Sequence, residues 1–201
     1  AVMRCDKALE LQNRALAKNP ADKAARYERG LLQLKKYMER KEVLQWEFSR
    51  KVWEDLQKSG QRGVQRSAAH QWQMLEDDGE AQRWKQGALE DLRQAEARLT
   101  ALGLIALLER DHARARELFE EASRSEGNLE EPWEWLGWLA EEDEAPMEAI
   151  SWYTKGLERD KGYLPFIDGL VRSWIQEGDL RELFSKNPGK EYVRAVQEAE
   201  R

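Results

Sequence analysis

Reactive and metal-binding side chains are scarce in this sequence. It contains one cysteine, Cys5, and two histidines, His70 and His112. A single cysteine excludes an intrachain disulfide framework, and no cysteine or histidine cluster has the spacing of a metal site. The sequence also lacks a glycine-rich phosphate loop and any nucleophile with a positioned base. We therefore expect a protein that is not an enzyme and that uses no metal and no cofactor.

Long apolar segments are also absent. The longest strongly apolar stretch, residues 101–108, is far too short to span a bilayer, so we expect no membrane insertion. No signal peptide is visible, although a trimmed N-terminus would hide a signal or an anchor. The composition favours a soluble protein that is cytoplasmic rather than exported, and the start at Ala1 suggests a fragment or a processed form.

Residues that interrupt helices are few, with five prolines and thirteen glycines among 201 residues. Helical periodicity runs through almost the whole chain and no strand pattern appears, so the sequence predicts an all-α protein. The apolar residues of the segment after residue 39, such as Val43 and Trp46, follow helical spacing. The clearest break is the glycine-containing stretch at residues 58–63. We divide the chain into an N-terminal helical segment (1–60), a connecting helical segment (61–95), a repeat region (96–187) and a C-terminal capping helix (188–201).

A 34-residue period is present in the second half of the chain. It is preserved at small and apolar positions, whereas the charged positions between them differ. Such a pattern is typical of stacked helix pairs, in which only the residues that face a neighbouring helix are constrained. The matched residues are Leu102-Gly103 with Leu136-Gly137, Ala106 with Ala140, Ala115 with Ala149, Phe119 with Tyr153, and Ala122 with Gly156.

The residues Trp133-x-x-Leu136-Gly137, followed by Ala149, Tyr153 and Gly156, resemble the signature of the tetratricopeptide repeat (TPR) family. The resemblance covers two clear units, at about 96–129 and 130–163, and a degenerate third unit. It implies a right-handed α-solenoid of antiparallel helix pairs, with Trp133 in the core. It also implies that Gly103 and Gly137 allow close approach of the second helix of each pair.

A weaker echo of the same register occurs near the start of the chain. Its residues are Ala8, Ala15, Pro20 and Gly30, which match the end of one unit and the close-packing glycine of the next. Alanine-rich helices often produce such matches by coincidence, so both interpretations stay open.

The charge is distributed unevenly. Residues 1–60 carry 14 basic and 9 acidic side chains, whereas residues 96–201 carry 14 basic and 24 acidic ones. Nucleic-acid binding depends on cationic side chains that neutralise phosphates, so an acidic repeat region argues against a nucleic-acid partner. It favours a protein partner with basic residues. The plain alternative is that the acidic residues only solvate the outer helix faces.

In TPR-like stacks the first helices of successive units line a concave groove. The resemblance places eight residues along that groove as a candidate partner-binding site. Such a groove suits a protein or peptide segment with apolar anchors and basic flanks. Only one of the eight is cationic, which argues against a clamp for a partner's terminal carboxylate. The eight are Leu104, Leu107, Glu134, Trp138, Glu141, Asp168, Arg172 and Ile175.

Two functions follow from these features. The first is a non-catalytic scaffold that binds a partner segment in the acidic and apolar groove. The alternative is a structural module that forms homo-oligomers, in which the basic half of one copy packs on the acidic half of another. It also stays open whether another part of the same chain, such as residues 80–95, fills the groove.

Overall fold

The computed structural model describes residues 2–59, 68–95, 98–126 and 129–177, with side chains for 5–48, 50, 73–95, 98–126 and 129–174. Within these ranges the regular structure is entirely helical, which confirms the predicted all-α class. The helices are α1 (Val2–Lys18), α2 (Lys23–Ser59), α3 (Ala68–Asp77), α4 (Gly79–Gln94), α5 (Leu99–Leu108), α6 (His112–Ser125), α7 (Glu131–Glu142), α8 (Pro146–Arg159) and α9 (Leu164–Glu177).

The chain divides into two compact units, residues 1–97 and residues 98–201. No helix in the described ranges is both long and apolar enough to cross a membrane. The predicted capping helix at 188–201 lies outside the described residues.

The longest helix in the described ranges, α2, lies in unit 1 and runs for 37 residues. Neither proline nor glycine occurs between residues 31 and 59, so nothing in this stretch interrupts the helical hydrogen bonds. The turn at 19–22 joins α1 to α2, and the carboxylate of Asp22 accepts a hydrogen bond from the amide of Ala25 at 3.0 Å. This contact caps the start of α2.

Helix α4, from the segment 61–95, packs along α2. Gly30 permits the close approach, because an added Cβ would lie 2.9 Å from Cγ of Leu92. Beside it, Asp91 is only 1% exposed and accepts two hydrogen bonds from Arg29, at 2.6 and 2.7 Å, and one from Arg26 at 3.3 Å. A buried carboxylate thus joins the two helices through two arginines.

In its described residues, unit 2 contains the hairpins α5–α6 and α7–α8, followed by α9, which packs on α8 and α7. The 34-residue period is visible in the backbone of the two hairpin turns. Arg110 and Glu144, 34 residues apart, are the non-glycine residues with positive φ in the described ranges, at 67° and 56°. The next amides, of Asp111 and Ala145, each donate to a carbonyl five residues earlier at 2.9 Å. The two hairpins therefore close with the same turn.

The two repeat glycines lie where the sequence predicts. A Cβ added at Gly103 would come closer than 3.0 Å to the ring of Phe119, and one added at Gly137 would come as close to the ring of Tyr153. Each glycine therefore packs against the second helix of its own hairpin, which confirms the expectation. Gly169 of α9 contacts the Tyr153 ring as well.

Candidate functional site

Helices α7 and α9 are held together by polar contacts at two levels. Near their N-terminal ends, the hydroxyl of Tyr163 donates to Oε2 of Glu134 at 2.7 Å. Near their C-terminal ends, Glu141 accepts hydrogen bonds from Arg172 at 3.2 Å and from Ser173 at 3.0 Å. These contacts occur in the same order along both segments, so the two helices run side by side in the same direction.

Between the two levels lie the residues that are of most interest for binding. Trp138 is four residues after Glu134 and three before Glu141, so helical spacing puts all three on one stripe of α7. Asp168 precedes Arg172 by four residues and shares its stripe on α9. Trp138 and Asp168 therefore lie at about the same height. We call the surface formed by Glu134, Trp138, Glu141, Tyr163, Asp168 and Arg172 the α7–α9 face.

Trp138 is partly buried, and its ring meets two other rings edge-on. The ring centroids lie 6.1 Å from Trp135 and 6.5 Å from His112, at interplanar angles near 70°. Trp135 itself is 4% exposed and stacks on Phe119 at 6.4 Å. Trp138 is thus packed beside the buried ring of Trp135 and is itself only partly buried.

The carboxylates of the α7–α9 face differ in the hydrogen bonds that they form within the protein. Glu134 accepts from Tyr163, and Glu141, whose side chain is 13% exposed, accepts from Arg172 and Ser173. Asp168 is exposed and forms no hydrogen bond or ion pair with any residue that the structure describes. Partial desolvation raises the pKa of Asp168, and the nearby charge of Arg172 acts against this increase.

Two tyrosine hydroxyls lie among these charges. Burial raises the pKa of Tyr163, and the adjacent carboxylate of Glu134 raises it further. Burial also raises the pKa of Tyr153; the charge of Glu141 adds to that increase and Arg172 opposes it. Both hydroxyls stay protonated at neutral pH, so they act as hydrogen-bond partners that brace the helices.

Of the eight candidate residues, five come together on the α7–α9 face: Glu134, Trp138, Glu141, Asp168 and Arg172. Leu104 and Leu107 do not belong to an accessible groove, because they are 0% and 3% exposed. Helix α5 is apolar around its whole circumference and most of its residues are buried, so its sequence did not reveal which side is covered. The side chain of Ile175 lies outside the described residues.

Two residues that hold the carboxylates of the face were not predicted: Tyr163, which is part of it, and Ser173, which is buried behind it. The positions 34 residues earlier are Leu129 and Leu139, so aligning the repeats gave no sign of a polar role. The acidic residues at 141–144 do not only solvate the helix surface, because some of them form ion pairs. Besides Glu141, Asp143 in this run binds Arg116 at 2.7 Å.

A second aromatic group involves α7 and α8. Trp133 is partly buried rather than fully enclosed in the core, and its ring centroid lies 5.8 Å from that of Trp152. Lys155 lies over Trp152 at 4.3 Å and Arg159 over Trp133 at 5.8 Å. These cations already occupy ring faces, so this group has less free aromatic surface than its composition suggests.

No protein-family model matches the chain, and no curated protein matches it. Among the described residues, no group of three or more histidine, cysteine, aspartate or glutamate side chains could hold a metal ion. The geometry of the α7–α9 face is therefore the basis on which a function is assigned.

Proposed function

We propose that unit 2 is a TPR-like solenoid and that its α7–α9 face binds a segment of another protein without catalysing a reaction. The observation that carries this proposal is the position of Trp138. A partly exposed aromatic side chain lies at the centre of a face whose two ends are braced by Glu134–Tyr163 and by Glu141–Arg172. Large aromatic residues in such central positions often supply most of the binding energy of an interface.

Two features support the solenoid part of the proposal. The turns at Arg110 and Glu144 have the same geometry 34 residues apart, and Gly103 and Gly137 pack against equivalent aromatic rings. In a stack of this kind each pair covers the apolar side of its neighbour, and the first helices share one surface. Helices α7 and α9 would be two such first helices.

The charge of the face defines the partner. Its one cation, Arg172, is engaged by Glu141, whereas Asp168 stays exposed to solvent. An acidic or phosphorylated segment would meet uncompensated repulsion from this carboxylate. A segment with an apolar anchor for Trp138 and a basic residue beside it is the best match. Leu104 and Leu107 are buried, so the proposed contact area does not include them and consists of residues around α7 and α9.

The test is to replace Trp138 by alanine. A partner is first captured from the source cell on the unmodified protein, purified, and then titrated against each variant. Loss of a central aromatic anchor typically costs at least about 2 kcal/mol, so Trp138→Ala should weaken binding about thirtyfold or more. The thermal midpoint should change little. Trp46→Ala is the matched control, because Trp46 is 61% exposed on α2 in unit 1.

The outcome that contradicts the proposal is also defined. If Trp138→Ala binds the partner normally but unfolds at a lower temperature, Trp138 has only a packing role. If Trp46→Ala weakens binding as much as Trp138→Ala does, the contact surface lies elsewhere or extends over both units.

Self-association is a second candidate function, favoured by the exposed apolar side chains of α2. Val43 is 43% exposed and Trp46 is 61% exposed, with the guanidinium of Arg50 at 5.1 Å from the Trp46 ring. Light scattering at increasing ionic strength separates the two functions. An oligomer at any ionic strength supports self-association, and its dissociation with added salt would show that charges hold it together. A monomer under all conditions supports the scaffold.

A further inference from the structure

We propose that Lys155 and Arg159, in the C-terminal half of α8, form a binding site for the phosphate group of a phosphorylated protein segment. The two cations lie over the rings of Trp152 and Trp133, and we call these four residues the α8 cation site. None of the four belongs to the α7–α9 face. The inference therefore goes beyond the proposed function and does not depend on it.

The two cations of this site have no carboxylate partner among the residues that the structure describes. Each lies over an indole ring instead. Four other basic residues of unit 2 form ion pairs with glutamate or aspartate side chains: Arg114, Arg116, Arg124 and Arg172. In a unit rich in carboxylates, Lys155 and Arg159 thus keep their charges available for an anionic ligand.

A series of short distances connects the two cations. The ammonium nitrogen of Lys155 lies 4.3 Å from the ring centroid of Trp152. The guanidinium carbon of Arg159 lies 5.8 Å from the ring centroid of Trp133, which is itself 5.8 Å from that of Trp152. Lys155 and Arg159 are four positions apart on α8, so they are neighbours on one side of the helix. One small ligand group can therefore contact both.

The indole rings hold the cations without using their hydrogen-bond donors. Trp133 and Trp152 are partly buried and pack against the apolar core of unit 2. The π-electrons of a ring attract a cation, whereas the N–H groups of that cation can still donate to an anion. Fixing a long basic side chain on binding costs conformational entropy, and this cost is smaller when the side chain is already held.

The carboxylates near the site on α8 do not compensate these cations. Glu148 precedes Lys155 by seven residues, which is about 10 Å along the helix. It already binds Arg116 and accepts a hydrogen bond from Nε1 of Trp152 at 3.1 Å. Glu158 is exposed and forms no ion pair with Lys155 or Arg159 in the structure.

The chemistry of two adjacent cations favours a phosphate monoester over other anions. Such a group carries a charge of about −1.5 to −2 at neutral pH and has three acceptor oxygens. Two of these oxygens can accept hydrogen bonds from a guanidinium group, and the third can accept from an ammonium group. A carboxylate or the phosphodiester of a nucleic acid carries a single charge, so either would leave one cation without compensation.

The experiment uses the full chain with 5-fluorotryptophan in place of tryptophan and follows the fluorine spectrum. The resonances of Trp133 and Trp152 are assigned by their absence in the variants Trp133→Phe and Trp152→Phe. The probes are N-acetyl-O-phosphoserine methylamide, N-acetyl-glutamate methylamide and dimethyl phosphate, which represent a phosphate monoester, a carboxylate and a phosphodiester. The phosphoserine probe should shift both resonances in a saturable way and should bind at least about fivefold more tightly than either of the others.

Lys155→Gln and Arg159→Gln should each weaken binding of the phosphoserine probe at least about fivefold. Lys161→Gln is the matched control, because Lys161 is exposed and close in sequence, and neither a carboxylate nor a ring holds it among the described residues. Thermal unfolding of all three variants checks that the fold is retained. Weakening in the two site variants, with unchanged binding in Lys161→Gln, supports the site.

Three results would overturn the inference: no shift of either resonance, equally tight binding of the glutamate probe, or equal weakening by Lys161→Gln. Tighter binding of dimethyl phosphate than of the phosphoserine probe would also overturn it, because the site would then suit a nucleic-acid backbone. Trp138→Ala should leave this titration unchanged, so the site is tested separately from the α7–α9 face. Loss of probe binding in Trp138→Ala would place the contact on that face and not on α8.

Discussion

Tyr153 is enclosed between two glycines, and this arrangement predicts that even one added methyl group destabilises unit 2. A Cβ at Gly137 would lie closer than 3.0 Å to three atoms of the Tyr153 ring, and the same holds for a Cβ at Gly169. The ring is 1% exposed, and a shift away from one glycine moves it toward the other. The Tyr153 ring therefore cannot move away from a Cβ at Gly137 without overlapping Gly169.

The expected magnitude for Gly137→Ala combines two opposing effects. Overpacking of a tight core typically costs about 1–3 kcal/mol. Replacing a helical glycine by alanine stabilises the helix by about 1 kcal/mol through its higher helix propensity. Because the Tyr153 ring is held on both sides, we expect the overpacking to reach the upper part of its range, for a net loss of about 1–2 kcal/mol.

The assay is urea unfolding followed by far-ultraviolet circular dichroism, with Gly79→Ala as the control. A Cβ at Gly79, the first residue of α4, would meet no atom within 4 Å, so this variant makes the same change in a helix without the overlap. A second variant, Tyr153→Leu, provides a double-mutant cycle, because a smaller side chain should leave room for the methyl group. A Gly137→Ala protein as stable as Gly79→Ala would refute the overlap at Tyr153, and so would a cost of Gly137→Ala that Tyr153→Leu leaves unchanged.

Two further predictions concern unit 1 and use the same unfolding assay. Asp78→Ala should lower the free energy of unfolding by about 1–2 kcal/mol, because Asp78 caps α4 and binds Arg40 at 2.7 Å, whereas Asp77→Ala should have little effect. The hydrogen bond from Arg40 lowers the pKa of Asp78, so this contribution should be complete at neutral pH and should disappear as the pH falls below the ordinary aspartate range and through the lowered pKa. Asp91→Ala should lower the free energy of unfolding by about 3–5 kcal/mol, because it removes the nearly inaccessible carboxylate that pairs with Arg29. A loss below about 1 kcal/mol would contradict a role for this ion pair in joining α2 to α4.

The site was partly predictable from the sequence. The 34-residue register placed Glu134, Trp138, Glu141, Asp168 and Arg172 on first helices, and the structure brings these residues to one face. The register could not show that Glu134 accepts a hydrogen bond from Tyr163, just before α9, or that Glu141 accepts one from Ser173 in α9, because these residues are about 30 positions apart. Which carboxylate remains exposed for a partner is therefore a property of the packed helices.

The sequence by itself determined the helical class, the period of the second half and the close packing of the repeat glycines against the second helix of their own pair. These features are encoded locally. Helical spacing determines which residues share a face, and a residue without a Cβ allows close approach of any helix that packs on that face.

Only the tertiary structure decided burial and the ends of some helices. Leu104 and Leu107 lie in α5, which has apolar residues on every side. Only the helices packed around α5 therefore determine which of its side chains are buried. The start of α5 depends on Glu126, which lies at the end of the following helix, α6. Its carboxylate accepts hydrogen bonds from the amides of Leu99 and Thr100, at 2.6 and 3.3 Å. A cap supplied from 27 residues away carries no local signal, because its partner exists only once the hairpin has closed.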